Sequence, residues 1–194
     1  MVERVVLVRH GATAWSAAGK HTGRTDVPLT KVGREEALLL GRALAGERFA
    51  AVFTSPLSRA RDTIALAGLG DVAIDLPDLM EWDYGAYEGI TTAQTRQTIP
   101  DWSVWTHEIH DGESVEQVGA RADAVIERVL EASGAVLLSA HGHLLRILAA
   151  RWLELAATAG SRLRLDTATV SELGWERENR VIRRWNIGCQ LLVR

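Results

Sequence analysis

Cysteine occurs once in the 194 residues, at Cys189, which excludes an internal disulfide framework and a cysteine-based zinc cage. Lysine is almost as scarce: Lys20 and Lys31 are the only two, so nearly all positive charge is arginine. The net charge of -3 leaves no basic field for nucleic acid and no polybasic patch for a membrane surface. An anion would have to be held by a local cluster of cations. No apolar run is long enough to cross a bilayer, and Met1 to Arg4 leads straight towards a strand without a signal-peptide pattern, so the expectation is a cytoplasmic protein. With 47% hydrophobic residues the chain can bury one substantial core, which predicts one domain over 1–194.

What is present begins with Val5 to Gly11, Val-Val-Leu-Val-Arg-His-Gly, an apolar run that ends on a cation, an imidazole and a glycine. Such a run predicts a strand buried on both faces, with Arg9 and His10 at its carboxyl end, where open α/β sheets bind ligands. Gly11 allows a sharp turn and a close approach of backbone to ligand. Ala135 to Ala140 is a second apolar strand that also ends in an imidazole and a glycine, His141 and Gly142.

Between and after these lie recognisable elements. Gly11 to Thr30 reads as a long ordered loop, and a loop of that length is usually functional. Thr30 caps a helix over 31–45; Ala51 to Thr54 is a short strand; Ser55 and Pro56 open a helix that carries Arg59 in its first turn. A strand at 72–74, a short helix at 91–98 and an aromatic stretch from Trp102 to His107 follow. Ser114 then starts a long helix whose Val115, Val118, Ala122, Val125 and Val129 share a face. A helix over 143–155 and a hairpin turning at Glu178-Asn179 complete the chain. Alternating strands and helices with a terminal hairpin predict an α/β fold, a three-layer sandwich whose central sheet is mostly parallel with helices on both faces.

If the two His-Gly strand ends are neighbours, His10, His141, Arg9 and Arg59 converge as a site for a dianion. Arginine suits phosphate through its planar fork, and a neutral imidazole can attack phosphorus while a backbone carbonyl holds its other nitrogen. The leaving alkoxide needs a proton, for which Glu81 is the first candidate and Asp83 and Glu88 weaker ones. Trp82, Trp102 and Trp105 are candidates for the pocket wall or for the core, and His107 and His110 read as surface or lid positions. A metal site on His141 and His143 is not expected, since adjacent arginines repel a cation.

These residues carry a resemblance. Leu7 to Ser16, His21 to Thr30, Ser55 to Ala60, Glu81 to Gly85 and Ser139 to His143 match, in order, the blocks of the histidine phosphatase superfamily, in its phosphoglycerate mutase-like branch. Tyr87 to Gly89, Trp102 to His107 and Gly112 to Ser114 are similar to the acid phosphatase-like proteins of mycobacteria. The resemblance implies that His10 is a phosphohistidine nucleophile and Glu81 the proton donor. Arg9, Arg59 and His141 hold the transferred phosphoryl group, and Ser16, Thr22 and Gly23 contact phosphate or substrate. It also implies a metal-independent enzyme without cofactor, acting on a small phosphorylated metabolite, with neither nucleic acid nor membrane as partner; related proteins often form homodimers. Ser16 stands where the mutases usually have Asn. The longer insertion after the Glu81 block and the C-terminal tail that cover the mutase site have no counterpart in this pattern, which favours hydrolysis over mutase chemistry. A phosphoglycerate mutase and an inactive phosphate-binding or interaction module are the alternatives.

Overall fold

The first strand, β1 (Val2–Arg9), lies inside a six-stranded sheet, hydrogen-bonded on both sides. The structure is a computed structural model and describes residues 1–191. The elements that follow β1 are α1 (Ala14–Ala17), α2 (Lys31–Ala43), β2 (Ala51–Thr54), α3 (Ser58–Leu66), β3 (Ala73–Asp75), α4 (Thr92–Thr95), α5 (Val115–Leu130), β4 (Gly134–Ala140), α6 (Gly142–Trp152) and the hairpin β5 (Thr169–Glu176) and β6 (Asn179–Gly188). The strand order is β3-β2-β4-β1-β5-β6. The first four run parallel, and the hairpin adds an antiparallel edge.

Alternation along β1 divides its side chains between two layers. Val6 and Val8 join Leu40, Leu44 and Ile64 of the α2 and α3 side. Val5 and Leu7 join Val125, Leu144 and Trp152 of the α5 and α6 side. Helices thus cover both faces, as the unbroken apolar run requires. The α5 face is buried at Val118, Ala122, Val125 and Val129, and its first turn is closed by a capping box between Ser114 and Gln117.

Several local expectations need correction. The stretch 11–30 contains the one-turn helix α1, closed by a capping box between Thr13 and Ser16. Ser55 and Pro56 do not open α3: the helix starts at Ser58, and its amide and hydroxyl are taken by the Asp26 carboxylate at 2.9 and 2.8 Å. A cap delivered from thirty-two residues away leaves no local pattern. Gly11 makes room for protein and not for a ligand, since a side chain there would meet the Gly33 carbonyl oxygen at 2.3 Å. The hairpin turns at Arg177 and Glu178, one residue before the expected position, with Arg177 at φ 55°.

Candidate active site

The parallel register of β1 and β4 sets Arg9 opposite Ala140, so both strands run out at the same level and His10 and His141 follow side by side. The His10 amide donates to the Ala140 carbonyl at 3.0 Å, and the two imidazole rings lie 5.1 Å apart. His10 Nδ1 donates to the Gly11 carbonyl at 2.8 Å, which assigns the lone pair to Nε2. Burial, followed by the positive charges of Arg9 and Arg59, holds the His10 imidazole well below its usual pKa. The ring is therefore neutral and oriented, the state in which it can act as a nucleophile.

Arg9 packs against the start of α6. A side chain at Gly142 would come within 3.3 Å of the Arg9 guanidinium, so this close approach depends on glycine. One nitrogen, Nη1, donates to the Leu165 carbonyl at 2.5 Å; Nε is buried with no partner among the described residues. An unpaired buried guanidinium N–H costs free energy until an acceptor arrives.

Arg59 and His141 form a layer behind. Arg59 is fully buried, and its Nε donates to His141 Nδ1 at 3.1 Å. Its terminal nitrogens take the carbonyls of Thr25, Thr22 and Gly23 at 3.0, 3.2 and 2.8 Å. Because Nδ1 accepts this hydrogen bond, the hydrogen of neutral His141 is on Nε2, which donates to Ser55 Oγ at 2.7 Å. Burial and then Arg59 hold His141 well below its usual pKa. Gly23 is fixed here by packing, because a Cβ would meet Glu88 and the Trp82 carbonyl at 2.3 and 2.5 Å.

Glu81 reaches the site from the segment before α4. It is buried, and its carboxylate caps α6: Oε2 accepts from the His143 amide at 3.0 Å, while Oε1 accepts from Leu144 and from its own neighbour Trp82, both at 2.9 Å. Three of about four lone-pair positions are filled, which leaves one on Oε2. Arg121 of α5 gathers the carbonyls of Asp78, Met80 and Glu81 at 2.8, 2.8 and 3.3 Å and is itself held by Glu113 at 2.7 and 2.8 Å. Burial alone would raise the Glu113 carboxyl; Arg121 and the Asp83 amide outweigh it and hold it below the usual value.

A cavity of about 330 Å³ opens over these groups, lined among others by Arg9, His10, Glu81, Ser16 and Thr22. Arg59, His141 and Gly23 lie outside its wall. The Ser16 hydroxyl is engaged in the Thr13 capping box, and Thr22 Oγ1 donates to the Lys20 carbonyl at 3.2 Å. Glu88 fixes the loop by accepting from the Arg24 and Thr25 amides at 2.5 and 2.9 Å, and Asp83 accepts from the Gly85 amide at 3.0 Å. Of the tryptophans, Trp105 lines the cavity; Trp82 and Trp102 are fully buried. His110 is exposed and His107 half-buried. The sequence pointed to neither Arg121 nor Arg146, and it did not show that Ser55 pairs with His141 or Tyr84 with His143, since all these contacts span long separations. No cluster of His, Cys, Asp and Glu suited to a metal occurs among the described residues, and no helix among them is long and apolar enough to cross a membrane.

Comparison with known proteins gives a consistent result. The family model described as histidine phosphatase superfamily (branch 1) matches residues 5–188. The chain is 46% identical over 178 residues to an acid phosphatase of Mycobacterium tuberculosis, spanning 89% of this chain and 87% of that protein. It is 33% identical over 185 residues to sedoheptulose 1,7-bisphosphatase of Saccharomyces cerevisiae, spanning 78% and 68%. The solved structure of an open reading frame product of Mycobacterium tuberculosis superposes with a TM-score of 0.90 at 42% identity, covering 96% of this chain and 98% of that one.

Proposed function

The chain belongs to the histidine phosphatase superfamily, branch 1, and is a phosphatase of that type; from this premise we propose that it is a metal-independent phosphomonoesterase that hydrolyses a small phosphorylated metabolite through phosphohistidine at His10. One observation carries the proposal: a neutral imidazole with Nε2 free lines a cavity beside a guanidinium whose buried Nε has no partner among the described residues.

In the first step His10 Nε2 forms a bond to phosphorus as the ester P–O bond breaks, and the alkoxide takes a proton from Glu81 at Oε2. Arg9 neutralises charge on the phosphoryl oxygens through its fork. Buried Arg59 supplies positive charge from behind the site, and neutral His141, held between Arg59 and Ser55, fixes that layer in place before transfer begins. In the second step water attacks phosphorus, Glu81 takes its proton, the P–N bond breaks and inorganic phosphate leaves. Ser16, Thr22 and Gly23 shape the loop around the substrate.

The decisive test is rapid quench with EDTA present. Acid-labile, base-stable phosphate on His10, with turnover abolished in His10→Ala, is the expected result; full turnover by that variant overturns the reading. Interconversion of phosphoglycerates faster than phosphate release would instead make the enzyme a mutase.

A further inference from the structure

The mechanism above leaves part of the cavity wall unused, namely Lys20, His21, Trp105, His143 and Arg146. Arg146 is the most constrained of these. Its guanidinium lies 4.7 Å over the Trp105 ring, with Nε donating to the Gly160 carbonyl at 3.0 Å and Nη2 to the Ser161 carbonyl at 3.1 Å. Neither a carboxylate partner nor an acceptor for Nη1 occurs among the described residues, although the side chain lines the cavity. A guanidinium held by an aromatic face and two carbonyls loses little further freedom when it binds an anion.

His143 stands one turn earlier on the same face of α6. Its Nδ1 and the Tyr84 hydroxyl share a hydrogen bond of 2.5 Å. Burial, then the Glu81 charge, raises the Tyr84 phenol well above its usual value, and burial, then Arg146, lowers the His143 imidazole well below its own. The tyrosine keeps its proton and the imidazole stays neutral, so His143 adds a polar ring without charge to this part of the wall.

Charge makes the same point. Three cations, Arg9, Lys20 and Arg146, line the cavity against one carboxylate, Glu81. A phosphate dianion balances two of them, and Glu81 balances none once it is protonated to serve the leaving group. One positive charge of the wall is left over.

Resting on the phosphatase reading, we propose that Arg146, with Trp105 under it and the His143 ring 5.1 Å from that indole, is a second anion subsite that selects phosphomonoesters whose alcohol carries another anionic group, carboxylate or phosphate. Arg146 is a specificity residue and takes no part in the transfer itself.

A matched three-carbon series tests this: glycerol 3-phosphate, 3-phosphoglycerate and glycerol 1,3-bisphosphate, with p-nitrophenyl phosphate as reference. In the wild type, kcat/KM for at least one anionic ester should exceed that for glycerol 3-phosphate by about 10- to 100-fold, the range of one charge-assisted hydrogen-bonded contact. Which ester gains tells carboxylate from phosphate. Arg146→Gln should bring the ratio close to one, whatever loss is common to all substrates, and Arg146→Lys should restore part of it. Equal kcat/KM across the series in the wild type overturns the subsite without any variant, and so does a preference that survives Arg146→Gln. Hydrolysis of p-nitrophenyl phosphate with none of the three esters turned over sinks the subsite and leaves the phosphatase standing; failure on every substrate sinks both.

Discussion

At the residue scale, the roles of His10 and Glu81 separate by leaving group. Glu81→Gln keeps the shape but has no proton to give, and should lower kcat on alkyl phosphates by roughly 10²- to 10⁴-fold. On p-nitrophenyl phosphate, whose phenolate leaves without protonation, the loss should be much smaller; equal losses on both substrates would assign Glu81 to structure alone. Gly142→Ala probes Arg9 without touching it. A methyl group 3.3 Å from the guanidinium must displace it, so KM for phosphate esters should rise while Tm changes little. Because burial and two arginines hold His10 below its usual pKa, its nucleophilic form persists below the ordinary imidazole value of 6.5. The acid limb of kcat/KM against pH should therefore lie below that value, as a pH-rate profile corrected for substrate ionisation would show.

At the element scale, the site is built where helix N-termini meet strand ends, and both helices concerned are capped from a distance. Asp26 caps α3 and Glu81 caps α6, each from a loop that the helix thereby holds against the cavity. Loop placement and helix start are thus one interaction. Arg121 does the same from the side of α5, since it binds three carbonyls of the segment that ends in Glu81. Arg121→Met should loosen that segment and reduce kcat on alkyl phosphates more than KM, with the p-nitrophenyl phosphate rate less affected. By contrast, Ser114→Ala removes only a local cap of α5 and should cost about 1 kcal/mol in denaturant unfolding with kcat preserved.

At the scale of the whole molecule, four of six histidines, His10, His21, His141 and His143, have pKa values lowered chiefly by burial. The unfolded chain takes up protons near the ordinary imidazole value of 6.5, whereas the folded protein resists them. Stability is then fully present above that pH and falls as pH drops through and below it, each imidazole adding at most about 1.4 kcal/mol per pH unit to the slope. Thermal unfolding between pH 7 and pH 5 should show a falling Tm, and a Tm that is flat or rises on acidification contradicts the burial of these rings.

Periodicity and strand-end chemistry are local, which is why the sequence by itself determined the α/β alternation, the double burial of β1, and the pair of His-Gly ends with Arg9. The cap at Ser114 was legible for the same reason: all its partners lie within three residues. Ser55, Asp26, Tyr84, Arg121 and Arg146 were not legible in their roles, because each acts on groups from 14 to 86 residues away and no spacing records such a contact. Only the tertiary structure decided that β4 lies between β1 and β2, that Arg59 and His141 stand behind the cavity and not in its wall, and that Arg146 faces it without an ion-pair partner among the described residues. The cause is the same throughout: hydrogen bonds and charge balance depend on distance in space, and the sheet order sets that distance.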